Sequence, residues 1–331
     1  MTSMLDLIAE LPAQLRWAAA AEVPQLPARD EGLVLGMGGS GFAGDVAAAF
    51  AEGQGRRVTV HKGYGLPGWA ARVAPAVVAV SHSGNTEETI SGVEAAHQAG
   101  LSLVVTATGG RLEAMAADKR IPFLAIPPGP QPRAAAGYLA GGALRILEAA
   151  GVVTGTRPAL EEAAAVVESL LTGPAHEVAT AVSGALAGRI TVIYGSGPVT
   201  AAAAGRWKTQ INENGKSPAW WSLLPELDHN EIVGWGAHQA LADHLGVVFL
   251  EDPDEHPRVK QRADLTAELM TGIRIAGRVA ALGAGPLARL FSLVVVGDLV
   301  SVHLAERAGI DPVPVAVIEE LKKRLADRAQ S

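Results

Sequence analysis

The amino-acid sequence predicts an α/β fold with two domains, each a parallel sheet flanked by helices. A chain of 331 residues is longer than one ordinary hydrophobic core and fits two domains of about 150 residues. Hydrophobic residues make up 49% of the chain and charged residues 18%, as in well-packed globular proteins. Short apolar segments alternate with helical segments, which indicates parallel strands covered by helices on both faces.

The first domain is predicted to span residues 1–153. It begins with an amphipathic helix in MTSMLDLIAELPAQLRWAAA, and five short apolar segments then predict strands. These strands are GLVLG at 32–36, VTVH at 58–61, a segment ending at Val80, and the apolar parts of LSLVVTATGG and IPFLAIP. Helices are predicted near Ser40, from Thr86, after LSLVVTATGG, and in an alanine-rich segment that ends near Gly151.

The second domain is predicted to span residues 154–331. Predicted helices cover 158–171, 175–187, 258–280, 286–308 and 314–327. Between them, RITVIYGSGPVTAAAAGRWKTQINENG contains an apolar strand, a glycine and serine turn and a helix, and VVFLED supplies a further strand. Strand, turn and helix repeat the order found in GLVLGMGGSGFAGDVAAAF, so we predict that the two halves are related.

Composition excludes several classes of protein. Cysteine is absent, which excludes disulfides, thiolate metal sites and cysteine nucleophiles, and the net charge of -7 argues against a nucleic-acid partner. Asp6 and Glu10 interrupt the N-terminal apolar run, which argues against a signal peptide. The run from Leu290 to Leu304 contains Asp298 and His303 and falls short of a membrane span. We expect a cytoplasmic protein with no nucleic-acid or membrane partner.

A glycine-rich turn follows the first predicted strand. Gly36, Gly38 and Gly41 satisfy the G-x-G-x-x-G pattern of dinucleotide-binding folds. Such folds place an acidic residue at the end of the second strand to bind the ribose, whereas this strand ends in His61 and Lys62. We therefore expect no nucleotide cofactor, and a tight turn whose backbone amides face an anion.

A dense cluster of short polar side chains, SHSGNTEET, lies where a predicted strand ends and a helix begins. Its two serines, Asn85 and Thr86 can direct hydroxyl and amide groups toward one point beside the helix N-terminus, which suits a phosphate dianion. The alternative is a plain helix cap, with Asn85 at the N-cap and Glu88 in capping-box spacing. The density of hydrogen-bond donors favours the phosphate.

The segment RWKTQINENGKSPAWWSLLPELDHNEIVGW contains three asparagines, seven charged residues and four tryptophans in thirty positions. It has no clean period of 3.6 or 2 residues, so its pattern is that of a poor core element. Either it is an interdomain or dimer-interface loop, or its polar residues, Glu213 and His229 among them, carry function.

Four motifs together resemble a known family of enzymes. GMGGS with Gly44-Asp45, SHSGNTEET, PRAAAGYL at 132–139, and NENGK with PELDHNEI are similar to the bifunctional phosphoglucose/phosphomannose isomerases of the sugar isomerase (SIS) fold, in the same order along nearly the whole chain. The resemblance implies two SIS-type (flavodoxin-like) domains and a homodimer. It also implies interconversion of aldose and ketose 6-phosphates through a cis-enediol, without metal or nucleotide.

The resemblance also implies a role for particular residues. Glu213 corresponds to the base that moves a proton between C2 and C1. His229 corresponds to the histidine that opens the sugar ring and is donated by the partner subunit. Arg133 corresponds to the cation that stabilises the enediolate, and Lys322 to a further cation near the C-terminus. The residues that would hold the phosphate are Gly39, Ser40, Ser81, Ser83 and Thr86.

The residues by themselves leave alternatives open for these side chains. Glu213 can instead form a cap or an ion pair with Lys216, and Arg133 can satisfy a helix end. Lys322 can lie on a solvated helix face. His229 can bind a metal, although no second histidine stands nearby at helical metal-site spacing, and we expect no metal site.

The chain departs from the family at positions that bear on substrate choice. His82 stands where a tyrosine is common, and Gly41-Phe42 replaces a smaller apolar pair. The tail IDPVPVAVIEELKK has valines where the family often has a small hydroxyl residue. The preference between glucose and mannose 6-phosphate is therefore open. A non-catalytic sugar-phosphate sensor is the alternative function, although before Gly32 there is room for only one helix and not for a DNA-binding module.

Overall fold

The computed structural model describes residues 3–129, 131–237 and 239–329. Two parallel sheets organise the chain, one in each half, and helices flank both. The predicted α/β architecture of two parallel sheets is therefore confirmed.

The first sheet has five strands in the order β2-β1-β3-β4-β5. β3 is buried at all six of its positions, as its continuous apolar sequence AVVAVS predicts for a central parallel strand. The strands are β1 (Glu31–Leu35), β2 (Arg57–His61), β3 (Ala76–Ser81), β4 (Leu103–Ala107) and β5 (Phe123–Ala125). The helices of this half are α1 (Met4–Ala9), α2 (Leu11–Ala20), α3 (Gly38–Glu52), α4 (Ala70–Val73), α5 (Glu87–Gln98), α6 (Gly110–Lys119) and α7 (Ala136–Ala149).

The second sheet has four strands in the order β7-β6-β8-β9. The strands are β6 (Ile190–Gly195), β7 (Ala219–Leu223), β8 (Leu245–Glu251) and β9 (Arg274–Ala280). The helices are α8 (Thr156–Leu171), α9 (Pro174–Leu186), α10 (Pro198–Glu213), α11 (Gly234–Ala237), α12 (Gln239–Ala242), α13 (Pro257–Leu269), α14 (Pro286–Arg307) and α15 (Ala316–Ala329).

Two strands differ from the sequence prediction, and the predicted N-terminal helix is instead two helices, α1 and α2. The helix predicted over 258–280 is wrong beyond Leu269, where α13 ends, because Gly272 adopts a left-handed φ of +82° and the chain then forms β9. β9 is an edge strand whose side chains are mostly exposed or half-buried, so it lacks the apolar run of a central strand. The pattern also does not predict β7, an edge strand whose consecutive residues Trp220 and Trp221 are both exposed.

The hydrophobic core is centred on α14, which packs against α8, α9 and α10. Among the described residues, α14 is the one helix that is long and apolar enough to cross a membrane by length and composition. The run from Leu290 to Leu304 lies within this helix, which has 22 residues. However, 94% of its most apolar window is buried inside the structure, so α14 is a core helix of this fold.

The order of the strands determines where a ligand is expected. In open parallel sheets, ligands bind at the carboxyl ends of the strands, where successive connections leave in opposite directions. In the first sheet this switch point lies between β1 and β3. The glycine-rich turn after β1 and the polar cluster after β3 therefore meet at the same edge.

Candidate active site

Two loops meet at the switch point of the first sheet. Gly39 and Ser40 lie in the first turn of α3, directly after the turn that follows β1. Ser81 is the last residue of β3, and Thr86 is the N-cap of α5. Ser40 is buried, and its hydroxyl accepts a hydrogen bond from the backbone N–H of His82 at 3.1 Å. The hydroxyls of Ser81 and Thr86 lie 3.0 Å apart. The structure therefore brings three of the predicted phosphate ligands to one edge of the sheet.

The N-terminus of α5 is not capped as the sequence suggested. Thr86, not Asn85, is the N-cap, and its side chain makes no capping hydrogen bond. Asn85 donates to the backbone oxygen of Ser83 and accepts from the backbone N–H of Arg111, both at 3.0 Å. The capping box of Asn85 and Glu88 is therefore wrong. Because the first amides of a helix have no partner within it, those of α5 are suited to an anion.

The turn after β3 requires glycine. Gly84 has a left-handed φ of +65°, and a Cβ there would lie 1.8 Å from the carbonyl oxygen of Gly109. Ser83 is exposed beside it, and its hydroxyl accepts a hydrogen bond from the backbone N–H of Asn85 at 3.2 Å. Among the predicted phosphate ligands, Ser83 is thus set apart from the buried pair Ser40 and Ser81.

Gly39 connects the first loop to Arg133. A Cβ on Gly39 would lie 2.8 Å from the carbonyl oxygen of Pro132 and 3.2 Å from the backbone nitrogen of Arg133. Only glycine permits backbone segments to approach so closely. The short 3₁₀ turn Pro132–Ala134 therefore holds Arg133 beside the predicted phosphate loop.

The guanidinium of Arg133 is buried and joins the two halves of the chain. Its Nε donates to Asn214 Oδ1 at 2.7 Å, and its Nη2 donates to the backbone oxygens of Pro312 at 3.0 Å and Val313 at 2.7 Å. Its Nη1 lies 3.7 Å from Glu213 Oε2. Burial lowers the pKa of Arg133 and Glu213 opposes this shift, but an arginine remains a cation near neutral pH.

Glu213 is the last residue of α10, and its side chain is 27% exposed. Its carboxylate borders an open groove of about 720 Å³ between the end of α10 and residues 310–318. Lys216 hydrogen-bonds the backbone oxygen of Glu213 rather than its carboxylate. The predicted base is therefore half-buried, reachable from the groove, and placed beside a fixed cation, Arg133.

Lys216, which the sequence suggested only as a possible ion-pair partner of Glu213, contacts the C-terminal tail segment instead. Its Nζ donates to backbone oxygens of the tail segment 312–314, at 3.1 Å and 2.5 Å, in addition to that of Glu213. Gln131 also donates to this tail, at 2.8 Å. Burial lowers the pKa of Lys216, and the neighbouring charge of Arg133 adds to this shift. These donors hold the tail segment beside Glu213.

His229 is exposed at the end of the 3₁₀ turn Glu226–His229. The residues on either side of it are anchored, because Asp228 accepts hydrogen bonds from two side chains of α13, and Glu231 accepts one from a tyrosine of β6. Within the described part of the chain, no hydrogen bond or ion pair joins His229 to Glu213. The structure therefore presents this histidine outward and does not bring it to the base of its own chain.

Lys322 is exposed on α15, and among the residues with described positions no hydrogen bond or ion pair links it to Glu213 or Arg133. α15 also exposes Val317 and Leu321, by 84% and 58% respectively, one helical turn apart. In residues 3–129, 131–237 and 239–329, no group of three or more His, Asp or Glu side chains is placed to hold a metal ion.

A buried ion pair lies beneath Arg133. Arg206 on α10 donates to both carboxylate oxygens of Asp298 on α14, at 3.0 Å and 2.6 Å, and its Nη2 also donates to the backbone oxygen of Arg133 at 2.8 Å. Its guanidinium lies 4.8 Å from the ring centre of Phe42. Burial raises the pKa of Asp298, and Arg206 opposes this shift. In the sequence, Asp298 is an isolated acidic residue within the apolar run of α14, which indicates that it needs a buried cationic partner.

His82, one of the departures from the family pattern, belongs to the loop after β3. Its backbone N–H donates to Ser40 Oγ, and its backbone oxygen accepts a hydrogen bond from Thr108 Oγ1. The residue as a whole is buried. Burial lowers the pKa of this histidine, so its imidazole is neutral near pH 7.

Comparison with known proteins adds to this geometry. The profile of the family described as "Bacterial phospho-glucose isomerase C-terminal SIS domain" matches residues 175–325. A bifunctional phosphoglucose/phosphomannose isomerase of Caldicellulosiruptor bescii is 35% identical over 307 residues, covering 90% of this chain and 90% of that protein. One of Aquifex aeolicus is 36% identical over 303 residues, covering 90% of this chain and 92% of that protein.

A solved structure shares the fold at low identity. A hypothetical protein of Thermus thermophilus superimposes with a TM-score of 0.75 over 99% of this chain and 91% of that chain, at 17% identity. The sequence relatives carry the identification, because their identity is far higher and extends over nearly the full length of both partners. The resemblance predicted from the four sequence motifs is confirmed, and the chain belongs to the bifunctional phosphoglucose/phosphomannose isomerase family.

Proposed function

We propose that this protein interconverts glucose 6-phosphate and mannose 6-phosphate with fructose 6-phosphate by proton transfer through a cis-enediol. The observation that carries this proposal is the distance of 3.7 Å between Arg133 Nη1 and Glu213 Oε2. This pair lies beside the polar segments at the switch point of the first sheet. A half-buried carboxylate next to a buried cation suits the removal of a proton from carbon, because the cation stabilises the charge that then develops on oxygen.

The phosphate would bind where the two loops meet. Ser40, Ser81 and Thr86 supply hydroxyls and the N-terminus of α5 supplies backbone amides, so a dianion finds several donors without a lysine. Gly39 would let the backbone come close to the phosphate, and exposed Ser83 would close the loop over it. This phosphate contact fixes one end of the sugar and leaves C1 and C2 to be placed near the base.

Glu213 would carry the proton between the two carbons. In the open-chain aldose it removes the proton from C2, and the electron pair forms the C1–C2 double bond while the carbonyl oxygen at C1 takes up negative charge. The Arg133 guanidinium stabilises this enediolate. After proton exchange between the two oxygens, Glu213 returns a proton to C1 and the carbonyl forms at C2, so no atom or electron is gained or lost.

The proposal also includes the domain boundaries, the homodimer and the roles of His229 and Lys322. Residues 1–153 and 154–331 would each form one SIS-type domain, and two chains would form a cytoplasmic homodimer. His229 would open the sugar ring in the site of the partner subunit, which its outward position and anchored neighbours support. The exposed apolar residues of α15 supply a surface for a second copy, and Lys322 on the same helix would approach the substrate only in the assembled dimer.

A coupled assay tests the proposed reaction. Purified protein in EDTA should form fructose 6-phosphate from glucose 6-phosphate and from mannose 6-phosphate. Turnover of one sugar only would assign the preference to positions such as His82 and the tail valines. Absence of turnover would contradict the proposal, and a rise in melting temperature with hexose 6-phosphate would then indicate the non-catalytic sensor.

Complementation between two inactive variants tests the donation of His229. Each of Glu213→Gln and His229→Ala should be inactive as a homodimer. A mixed dimer, co-expressed with two tags and purified on both, would contain one site with both residues intact, so we expect about half of the wild-type activity per dimer. If His229 served its own chain, each site would lack one residue and the mixed dimer would be inactive.

A further inference from the structure

A series of buried hydrogen bonds leads from α14 to the guanidinium of Arg133. Ser301 Oγ donates to the backbone oxygen of Asp298 at 2.6 Å. Asn214 Nδ2 donates to Ser301 Oγ at 3.0 Å, and Arg133 Nε donates to Asn214 Oδ1 at 2.7 Å. Asn214 and Ser301 are both fully buried, so water does not compete for these groups.

This series of hydrogen bonds has one direction. The hydroxyl of Ser301 has a single hydrogen, which it donates to the carbonyl of Asp298, so it can only accept from Asn214. Asn214 must therefore present its NH₂ group to Ser301 and its carbonyl oxygen to Arg133. α14 thus determines which end of the Asn214 amide faces the arginine.

The orientation of the Asn214 amide determines where the cation points. A guanidinium is planar, and its N–H groups diverge at fixed angles. Asn214 holds Nε, and the tail carbonyls of Pro312 and Val313 hold Nη2, which directs Nη1 toward Glu213. Glu213 and Asn214 are consecutive at the end of α10, so one turn of chain supplies both the carboxylate and the group that orients its cation.

We propose that Asn214 is a positioning residue for the isomerisation, which holds the Arg133 guanidinium so that Nη1 faces the enediolate formed beside Glu213. The inference rests on the proposed isomerase function. The charge on the enediolate exists only during the chemical step, whereas the phosphate of the substrate is bound throughout. A misdirected cation therefore slows turnover more than it weakens substrate binding.

Three variants test this role. Asn214→Ala should lower kcat by about 10- to 100-fold while KM stays within about threefold, because Arg133 loses the acceptor that orients it. Asn214→Asp keeps the size and the acceptor but offsets the charge of the guanidinium, so kcat should fall about tenfold or more. The control is Asn212→Ala, whose amide donates to Ser217 and not to Arg133, and its kcat should stay within about twofold.

Steady-state kinetics on both hexose 6-phosphates decide between the outcomes. The inference fails if Asn214→Ala keeps the kcat of the control, or if only its KM rises, since that would make Asn214 a substrate-binding residue. If Asn214→Ala does not fold, Asn214→Asp decides by the same criterion for kcat. An inactive wild-type protein would contradict the proposed isomerase function itself, and an active wild type with fully active variants would contradict only the role of Asn214.

Discussion

Glu213→Gln is expected to lower kcat on glucose 6-phosphate and mannose 6-phosphate by about 10³-fold or more, while KM changes by less than about threefold. The amide has the size of the carboxylate and still reaches toward Nη1 of Arg133, which lies 3.7 Å from the acid in the native protein. It cannot accept a proton from C2. The proposed phosphate site after β1 and β3 does not include this side chain, so we expect substrate binding to change little.

Two measurements together check this prediction. Steady-state kinetics give kcat and KM, and proton NMR in D₂O follows exchange of the C2 hydrogen of the substrate, which should stop in the variant. Glu268→Gln, an exposed glutamate of α13, is the matched control and should retain wild-type activity. A Glu213→Gln protein with near-wild-type kcat and C2 exchange would show that another group is the base.

Asp298→Ala is expected to lower the free energy of unfolding by about 3–5 kcal/mol, because it leaves the charge of Arg206 buried without its partner. The side chains of Arg206 and Asp298 are 2% and 6% exposed, and two hydrogen bonds join them. Urea denaturation at a fixed protein concentration measures the loss. The same variant should reduce activity, since Arg206 also bonds the backbone of Arg133.

Asp298→Ala has two controls, one at an exposed ion pair and one that removes both charges of the buried pair. Glu320→Ala removes the partner of Arg324 on the surface of α15 and should change the free energy of unfolding by less than about 0.5 kcal/mol. Replacing Arg206 by Met together with Asp298 by Leu removes both charges, so this double variant should be more stable than Asp298→Ala. A loss below about 1 kcal/mol for Asp298→Ala would contradict the account of a desolvated pair.

Most of the fold could be predicted because central parallel strands have continuous apolar sequences. The strands after the first helix, and those at RITVIYG and VVFLE, lie where the sequence predicts them. The two strands that pattern alone does not predict, β7 and β9, are edge strands with exposed side chains. An edge strand does not need a continuous apolar sequence, so its pattern is weak. In β9, the alanine and arginine residues favour a helix by their intrinsic propensity.

The candidate site was predictable to the extent that its chemistry is carried by short local motifs. The motif NENGK indicates Glu213, and PRAAAGY indicates Arg133. Neither motif predicts that Arg133 Nη1 and Glu213 Oε2 lie 3.7 Å apart. The first motif also contains Lys216 and Asn214, but it does not indicate which residues their side chains contact. Their partners, Pro312 and Ser301, are about 90 residues away in sequence, and no local pattern relates such positions.

The sequence by itself determined the α/β class, the two parallel sheets and the family, because these depend on local hydrophobic patterning and on motifs a few residues long. Only the tertiary structure decided how the site is assembled. Packing of α10 against α14 and of the turn at Arg133 against Gly39 brings Glu213, Arg133 and the polar segments after β1 and β3 together. Burial then requires each polar group in that contact to find a partner, wherever along the chain the partner lies.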